Sequence, residues 1–340
     1  MRARTADIVR NTAEIIRPPR RILVSDAAEQ YLYLNEPGGY QGKFTLDVAP
    51  YMREPMDMLA SRRFQGVVFA GPARSLKTQS LIDGGMTYAI VCDPGDALIV
   101  QMSQEAARDF SKMRVDRAIT YSKELKSRLA TGRSDDNIHD KFFKNGMVLK
   151  IGWPAVSQLS SKSIRWVYLT DYDRMPDDVE GEGDVWSLAL KRTQTFLSRG
   201  MCAAESSPGR ELKDPNWRKQ SPHEAPPCGG IIGLYNMGDR RRWYWECPDC
   251  HNFSEPAPGV GCFDLPSFEE LRETIRSADL MKLAKRSAVF ICPHCAVPVA
   301  EKHKRAMNRT GRWLAEGQEI DRDGVITGQA RQSSIASYWL

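Results

Sequence analysis

The amino-acid sequence predicts an α/β fold, in which a mostly parallel sheet with helices on both faces precedes a small cysteine-rich module. Two observations support this prediction. From about residue 50, short apolar runs alternate with helical segments, as in sheets whose parallel strands are connected by helices. From about residue 228 this alternation stops, and aromatic residues and two closely spaced cysteine pairs follow.

The bulk properties are those of a folded protein. A chain of 340 residues has room for one large α/β domain and a smaller module. It contains no run of about 18 apolar residues, which argues against a transmembrane helix. The N terminus is basic but lacks the apolar core of a secretory signal. The net charge of +5 permits contact with nucleic acid without requiring it.

Residues 1–45 are predicted to form a basic N-terminal arm with one helix around Ser25 to Leu34. Residues 1–22 contain six arginines against two acids, Asp7 and Glu14. Such a stretch is typical either of an arm that contacts a partner or DNA, or of a disordered terminus. Both interpretations stay open at this point.

Residues 46–227 hold the strands and helices predicted for the large domain. In chain order they are a helix around Glu54 to Ser61, a strand over 66–70, a helix reaching about Tyr88, a strand in DALIVQMS, a helix from about Gln104 to Tyr121, a hairpin turning at Asn145-Gly146, and strands in IRWVYLTDYD and MCAAESSPG. The Asn-Gly pair favours a tight turn between strands.

The stretch VVFAGPARSLKTQSL, residues 67–81, is similar to a phosphate-binding P-loop. Such a loop surrounds an anion with backbone N–H groups, and it adds a lysine for the outer phosphates and a hydroxyl for Mg²⁺. Lys77 and Thr78 stand at the required spacing, but Leu76 replaces the last glycine and loses easy access to positive φ. The alternative is an ordinary strand-turn-helix. The residues predicted to contact a nucleotide here are Gly71, Pro72, Ala73, Arg74, Ser75, Leu76, Lys77, Thr78 and Gln79.

Acidic residues follow a second apolar strand, WVYLTDYD. An ATPase needs one carboxylate that helps to hold Mg²⁺ and one that orients the attacking water. In one register Thr170 stands where the first acid belongs and Asp171 acts as the base. In the other register Asp171 is the magnesium acid and Asp173 is the base. The plain alternative is a pair of solvated aspartates at a strand end.

The turn ESSPG, residues 205–209, ends the next apolar run. In translocating ATPases a turn at this place couples hydrolysis to motion, and its hydroxyls hydrogen-bond the acids or the attacking water. Ser206 and Ser207 are the candidates here. By itself the pattern is equally typical of a plain turn.

Two C-P-x-C pairs predict a zinc site within residues 228–310. The four thiolates of Cys247, Cys250, Cys292 and Cys295 would complete a tetrahedral site of the structural kind. The 41 residues between the pairs exceed the usual spacing, and a helical insertion around 267–285, opened by a Ser267–Glu270 capping box, accounts for the excess. Free thiols, or His294 as a replacement ligand, are the alternatives.

In this order the motifs resemble the large terminase subunit of tailed phages, of the lambdoid type. The resemblance covers nearly the whole chain from about RPPRRILVSDAAEQYLYL onward. Further segments that carry it are APYMREPMD, FFKNGMVLKIGWPAVSQLSSKSIRWVYLTDYDRMPDDVEGEGD, ALKRTQTF and YNMGDRRRWYWECPDC. It implies a P-loop NTPase fold of the ASCE type, with a mostly parallel sheet and helices on both faces.

The resemblance also implies an ATP-hydrolysing motor that moves double-stranded DNA into a procapsid. Tyr51 would contact the adenine, Lys77 and Arg74 the phosphates, and Thr78 with Asp171 the Mg²⁺. Asp171 or Asp173 would orient the water. A neighbouring subunit would supply an arginine to each site, for which Arg165 is the first choice and Arg192 and Arg117 are the others.

The implied partners are double-stranded DNA, a small terminase subunit, the portal of the procapsid, and further copies of the chain in a ring, all in the host cell cytoplasm and outside the mature virion. In the family a nuclease domain follows the motor; we expect residues 311–340 to be a linker toward such a domain beyond Leu340. Two alternatives stay open. One is a helicase-like DNA translocase, and the other is a zinc-ribbon DNA-binding or assembly protein with a decayed ATPase, which Leu76 and Thr170 favour.

Overall fold

The structure, a computed structural model, describes residues 13, 18–132, 137–160, 162–256, 262–264, 267–277, 281 and 289–340. The chain divides into two compact units, Met1–Arg240 with Arg331–Leu340, and Arg241–Ala330. Most of the predicted basic arm, residues 1–12 and 14–17, lies outside the described residues. Among the described residues we find no helix with the length and apolar content that crossing a bilayer requires.

The helices lie mainly in the larger unit. They are α1 (Val24–Tyr31), α2 (Arg53–Met58), a π-helix (Thr78–Gly84) continuing into α3 (Gly85–Val91), α4 (Gln104–Phe110), a second π-helix (Ser111–Val115), α5 (Asp116–Tyr121), α6 (Lys123–Arg128), α7 (Val156–Leu159), α8 (Val185–Thr193) and α9 (Gly230–Met237), followed in the smaller unit by α10 (Phe268–Ser277) and α11 (Lys304–Thr310). Short 3₁₀ turns cover Pro50–Met52, Tyr172–Arg174, Gln194–Arg199 and Glu301–His303.

The strands are distributed over both units. They are β1 (Tyr33–Asn35), β2 (Gln41–Lys43), β3 (Gly66–Ala70), β4 (Ala97–Val100), β5 (Asp140–Phe142), β6 (Val148–Gly152), β7 (Trp166–Thr170), β8 (Met201–Ser206), β9 (Arg241–Glu246), β10 (Phe253–Ser254), β11 (Phe263–Asp264), β12 (Val289–Ile291), β13 (Pro298–Val299), β14 (Arg312–Leu314), β15 (Gln318–Ile320), β16 (Ile326–Gly328) and β17 (Ile335–Trp339).

The main sheet of the larger unit confirms the predicted fold class. Its strands follow the order β17-β3-β8-β7-β4-β6-β5, and all neighbours pair in parallel except the edge strand β5, which forms an antiparallel hairpin with β6. Strand β8 therefore lies between the P-loop strand β3 and the acidic strand β7. The sequence pattern does not specify this strand order.

Both faces of this sheet are buried under helices. On one face Val68 and Val167 share a core with Trp186 of α8 and Ile231 of α9. Because side chains alternate along a strand, the next residues point to the other face. There the ring of Trp166 meets Tyr88 of α3 edge-on, with centroids 6.0 Å apart. The continuous burial of β3, β7 and β8 explains why they are apolar throughout, as in other parallel sheets.

Residues 311–340 differ from the linker that the sequence predicts. Strand β17 pairs in parallel with β3 over its whole length, and its first four residues are buried. Strand β14 pairs with β9 in the smaller unit. The apolar tail residues of the sequence are therefore core residues of the main sheet, on the side of β3 opposite β8.

The described part of residues 1–45 also differs from a free arm. Val24, Ala27 and Ala28 of α1 are fully buried, and the backbone N–H of Ser25 donates to Asp57 at 2.9 Å. Strands β1 and β2, which follow this helix in the sequence, form an antiparallel hairpin. Residues 24–43 are therefore an integral part of the larger unit.

The smaller unit is built from short strands. Strand β9 pairs with β10 and β14, strands β11, β12 and β13 form a second antiparallel sheet, and β15 and β16 form a hairpin. The predicted insertion helix corresponds to α10, and its capping box is formed by reciprocal hydrogen bonds of 2.7 and 3.1 Å between Ser267 and Glu270. The remainder of the predicted helix lies outside the described residues, except for Met281.

Candidate nucleotide site and metal centre

The candidate nucleotide site lies where strands β3, β8 and β7 end. In the sheet register Ala70 is the partner of Ser206, and Thr170 is the partner of Glu205. The carboxyl ends of parallel strands meet at one edge, which is where open α/β sheets bind ligands. The P-loop, the acids and the coupling turn of the sequence prediction are thus brought together.

The P-loop has a strained backbone at the position where the sequence departs from the usual pattern. Leu76 has φ 58° and Arg74 has φ 63°, so both lie in the left-handed region. A residue with a β-carbon adopts this conformation at a cost of about 1–2 kcal/mol. Such strain persists only where the surroundings hold the chain in place, and it clusters at ligand sites. Leu76 therefore takes the backbone conformation of the glycine that it replaces.

Contacts within the larger unit hold the loop in this shape. A β-carbon added at Gly71 would lie 2.6 Å from the Phe69 ring, so only glycine fits there. The N–H of Gly71 donates to the carbonyl oxygen of Ser206 at 3.1 Å, and the Ser75 hydroxyl donates to the Pro72 carbonyl at 2.9 Å. The loop is thereby attached directly to the last residue of β8.

Lys77 points into the site and not toward solvent. The residue is only 7% exposed. Its Nζ donates to Ser207 Oγ at 3.2 Å and to the Pro72 carbonyl at 3.4 Å, and it lies 3.8 Å from Glu205 Oε2. A buried ammonium with three polar contacts on one side is suited to binding an outer phosphate.

Glu205 is a functional candidate that the sequence prediction missed. It is fully buried, and its Oε1 accepts hydrogen bonds from Thr78 Oγ1 at 2.9 Å and Thr170 Oγ1 at 2.6 Å. Burial raises the pKa of its carboxyl and the charge of Asp171 raises it further, while the bond from Thr170 and the charge of Lys77 oppose the rise. The signal was present in the sequence, because an acid ends the apolar run MCAAE.

Asp171 follows β7 in a left-handed conformation, with φ 54°, and its side chain is exposed. It directly follows Thr170, the last residue of β7, so it stands at the carboxyl end of the sheet, the same end at which the P-loop follows β3. An exposed acid at the mouth of a phosphate site is placed to orient a water molecule. Its assignment as a magnesium ligand stays a prediction at this point.

Asp173 does not fit the role of catalytic base. Its Oδ2 accepts the N–H of Gly209 at 2.7 Å and its Oδ1 accepts the N–H of Ile231 at 2.5 Å, while its own N–H donates to Ser206 Oγ at 3.1 Å. Both oxygens are thus engaged by the backbone, and the residue is only 8% exposed. We correct the expectation: Asp173 connects the coupling turn to the start of α9.

Arg165 does not fit the role of an arginine supplied to a neighbouring subunit. It is 3% exposed and its guanidinium forms a buried ion pair with Asp93, with a further hydrogen bond to the Pro94 carbonyl at 3.1 Å. It precedes the first residue of β7, at the end of the strand away from the P-loop. The buried acid Asp93 holds it there, which sequence spacing alone did not reveal.

The other predicted arginines and Tyr51 have more accessible positions. Arg192 is half-buried in α8, and Arg117 borders a cavity of about 490 Å³ together with Arg114 and Asp83. Tyr51 is half-buried in a 3₁₀ turn, where burial raises the pKa of its hydroxyl. The contact of Tyr51 with adenine stays a prediction.

Gln79 and Arg74 complete the set of predicted nucleotide contacts. The Gln79 side chain donates to Glu36 of the segment between β1 and β2 at 2.9 Å, so its amide group already has a partner. Arg74 is exposed. On this geometry Lys77 and the loop backbone are better placed for phosphate than Gln79 is.

The four predicted zinc ligands converge in the smaller unit. The sulfur atoms of Cys247, Cys250, Cys292 and Cys295 all lie within 4.8 Å of one another. The Cys247–Cys295 and Cys250–Cys292 sulfur distances are 3.9 and 3.7 Å. Zinc–sulfur bonds of about 2.3 Å in a tetrahedron place the sulfurs roughly 3.8 Å apart, so the residues fit this metal.

Each cysteine pair belongs to the same kind of turn. The N–H groups of His251 and Ala296 donate to the carbonyl oxygens of Cys247 and Cys292 at 3.0 and 2.8 Å, and both donors have φ 59°. The candidate metal group among the described residues consists of the four cysteine sulfurs and does not include His294, whose Nε2 donates to the carbonyl oxygen of Phe253 at 3.1 Å.

Two comparisons with known proteins find similar proteins. A family model described as "Phage terminase large subunit gpA, ATPase domain" matches residues 38–313. Among solved structures, the crystal structure of the HK97 bacteriophage large terminase is similar, with 14% identity and a TM-score of 0.40 over 54% of this chain. The match covers 36% of the HK97 chain, so this chain spans well under two thirds of that protein. A search of curated proteins finds no match.

Proposed function

This chain belongs to the phage terminase large subunit gpA family through its ATPase domain, and we propose that it hydrolyses ATP to drive double-stranded DNA into a procapsid. The observation that carries the proposal is the buried contact among the P-loop, the acidic strand and the coupling turn. Lys77 reaches Ser207, and Thr78 reaches Glu205 beside Thr170.

The residues divide the chemistry among them. The P-loop backbone and Lys77 bind the phosphates, and the Thr78 hydroxyl is the group available to Mg²⁺. Bound magnesium neutralises the charge that develops on the phosphate oxygens. Asp171, exposed at the mouth of the site, orients the attacking water. Burial of the remaining groups excludes other water and strengthens their electrostatic effect.

The coupling turn connects the site to the rest of the larger unit. The carbonyl oxygen of Ser206 accepts from the first residue of the P-loop, and its hydroxyl accepts from Asp173. Asp173 in turn accepts the N–H of Ile231 in α9. The presence or absence of a phosphate at Lys77 can therefore affect the position of α9 through Ser207, Ser206 and Asp173. A motor needs such a connection between its nucleotide site and the rest of the domain.

The family suggests the partners. Double-stranded DNA would be held mainly through its phosphates. A small terminase subunit, the portal of the procapsid and a ring of identical chains in the host cytoplasm complete the proposal. Within the ring, Arg117 or Arg192 takes the role of the arginine supplied to a neighbouring site. The cysteine centre, with its four protein ligands, would hold a structural zinc.

The test is ATP hydrolysis in the presence and absence of double-stranded and single-stranded DNA. We expect double-stranded DNA to raise the rate. Equal stimulation by single strands alone would favour the helicase-like alternative. A rate indistinguishable from background with every DNA would favour a decayed ATPase, for which the strained Leu76 and the neutral Thr170 are the specific observations.

A further inference from the structure

Thr170 leaves the acidic strand without a carboxylate at its last position. The residue is 1% exposed and its hydroxyl donates to Glu205, so it is directed into the site and away from solvent. A hydroxyl cannot supply the negative charge that a phosphate-bound divalent cation requires. If the chain hydrolyses ATP, another carboxylate must do so.

The acids near the P-loop can be compared by one criterion, contact with the Thr78 hydroxyl. Asp173 has both oxygens engaged by backbone N–H groups. Asp171 is exposed and makes no hydrogen bond to Thr78 among those that the structure describes. Glu205 accepts a hydrogen bond from Thr78 at 2.9 Å.

The second carboxylate oxygen of Glu205 is available for a further contact. Its Oε2 is buried and accepts no hydrogen bond from any residue that the structure describes, while Lys77 Nζ lies 3.8 Å away. A buried carboxylate oxygen without a donor is costly unless a cation compensates it. When Lys77 binds a phosphate, a divalent cation beside Thr78 would provide that compensation.

The sheet register explains how a residue on a different strand reaches this place. Glu205 is the partner of Thr170 on one side and of Phe69 on the other, so it stands between the acidic strand and the P-loop strand. Adjacent strands lie about 4.8 Å apart. A glutamate on β8 spans that distance toward Thr78, and the Thr170 hydroxyl fixes its orientation at 2.6 Å.

We propose that Glu205 is the magnesium-side acid of this ATPase, that Thr170 is its positioning residue, and that Asp171 is left to orient the water. The inference rests on the proposed ATPase function and deepens it. It replaces the assignment of Asp171 as the magnesium ligand. In this assignment the acid of the metal site lies on β8 and not at or just after the end of β7.

The test is the effect of magnesium on ADP affinity, measured by calorimetry in MgCl₂ and in EDTA. The variant is Glu205→Gln, with the exposed Glu105→Gln as the matched control. We expect the wild type and the control to bind ADP more tightly with magnesium. In Glu205→Gln this enhancement should fall roughly ten- to a hundredfold, with metal-free affinity nearly unchanged, because only a charge-assisted contact is lost.

A second variant tests whether the position of the carboxylate can be exchanged between the two strands. The double variant Thr170→Asp with Glu205→Gln returns the carboxylate to β7, and we expect it to regain part of the magnesium enhancement. Binding of Mn²⁺ with ADP, followed by electron paramagnetic resonance, should show the same order among the variants. No recovery in a folded double variant would contradict the exchange of positions.

The outcomes separate this inference from the proposed function. Full magnesium enhancement of ADP binding in Glu205→Gln would overturn the inference. A loss of hydrolysis with unchanged Mg·ADP affinity would also overturn it, because Glu205 would then be the residue that orients the attacking water. A wild type that binds no ATP, or one that Lys77→Ala does not weaken, would overturn the ATPase proposal itself.

Discussion

Leu76 provides a test of the P-loop conformation that does not depend on activity. Its φ of 58° is the value that a glycine would adopt freely at this position. Replacing it by Gly or by Ala removes the same half-buried side chain. The lost burial therefore cancels in the difference between the two variants, and the backbone contribution remains.

The magnitude follows from two opposing effects. A β-carbon in the left-handed conformation costs about 1–2 kcal/mol, and Leu76→Ala keeps this cost. Glycine has a more flexible unfolded chain, which lowers the stability of Leu76→Gly by about 0.4–1 kcal/mol. We expect the glycine variant to be more stable than the alanine variant by roughly 0.5–1 kcal/mol.

The assay is urea unfolding of both variants, with the free energy of unfolding extrapolated to water. Ala73→Gly is the matched control, because Ala73 is in the same loop and does not have a positive φ. There glycine should be the less stable residue by about 0.4–1 kcal/mol. If alanine is also the more stable residue at position 76, the loop does not have the left-handed backbone, and the inferred P-loop geometry is refuted.

Three further predictions concern the metal centre and the corrected residues. Cys292→Ser should lower the native mass by one zinc per chain and unfold the smaller unit at lower temperature, because four-thiolate zinc sites contribute folding free energy; an unchanged mass would contradict the site. Asp173→Asn should lose about 1–3 kcal/mol of stability, because one buried N–H loses its acceptor, while magnesium enhancement of ADP binding persists; full stability with abolished hydrolysis would restore Asp173 as the base. Arg165→Met should cost about 3–5 kcal/mol in urea unfolding by leaving Asp93 unpaired, and a stable variant with defective hydrolysis would restore the intersubunit role.

Local motifs were predictable from the sequence because their chemistry is contiguous. The P-loop and each cysteine pair bring their functional groups together within a few residues, so spacing alone indicates the site. The strand-helix alternation likewise predicts a parallel sheet. Even the departure at Leu76 was visible, and the structure adds only that the leucine takes the left-handed backbone.

The roles that the sequence could not predict depend on strand order and register. Glu205 reaches Thr78 only because β8 lies between β3 and β7. The carboxylate oxygens of Asp173 accept hydrogen bonds from a turn and a helix that are distant in sequence. Arg165 is held by an acid 72 positions earlier in the chain. Strand β17 enters the sheet beside β3 after the whole smaller unit has intervened. Glu205 is marked in the sequence only as an acid at the end of an apolar run, which does not indicate its partner, and the other pairings leave no periodic or spacing signal.

The most direct measurement of the central claim is steady-state ATP hydrolysis by the wild type and Lys77→Ala, with the exposed Lys123→Ala as control. Because Lys77 is the buried cation of the loop, we expect its removal to lower the rate roughly a hundredfold or more, while Lys123→Ala retains wild-type activity. Hydrolysis by Lys77→Ala at the wild-type rate would contradict the assignment of the ATPase site to this P-loop.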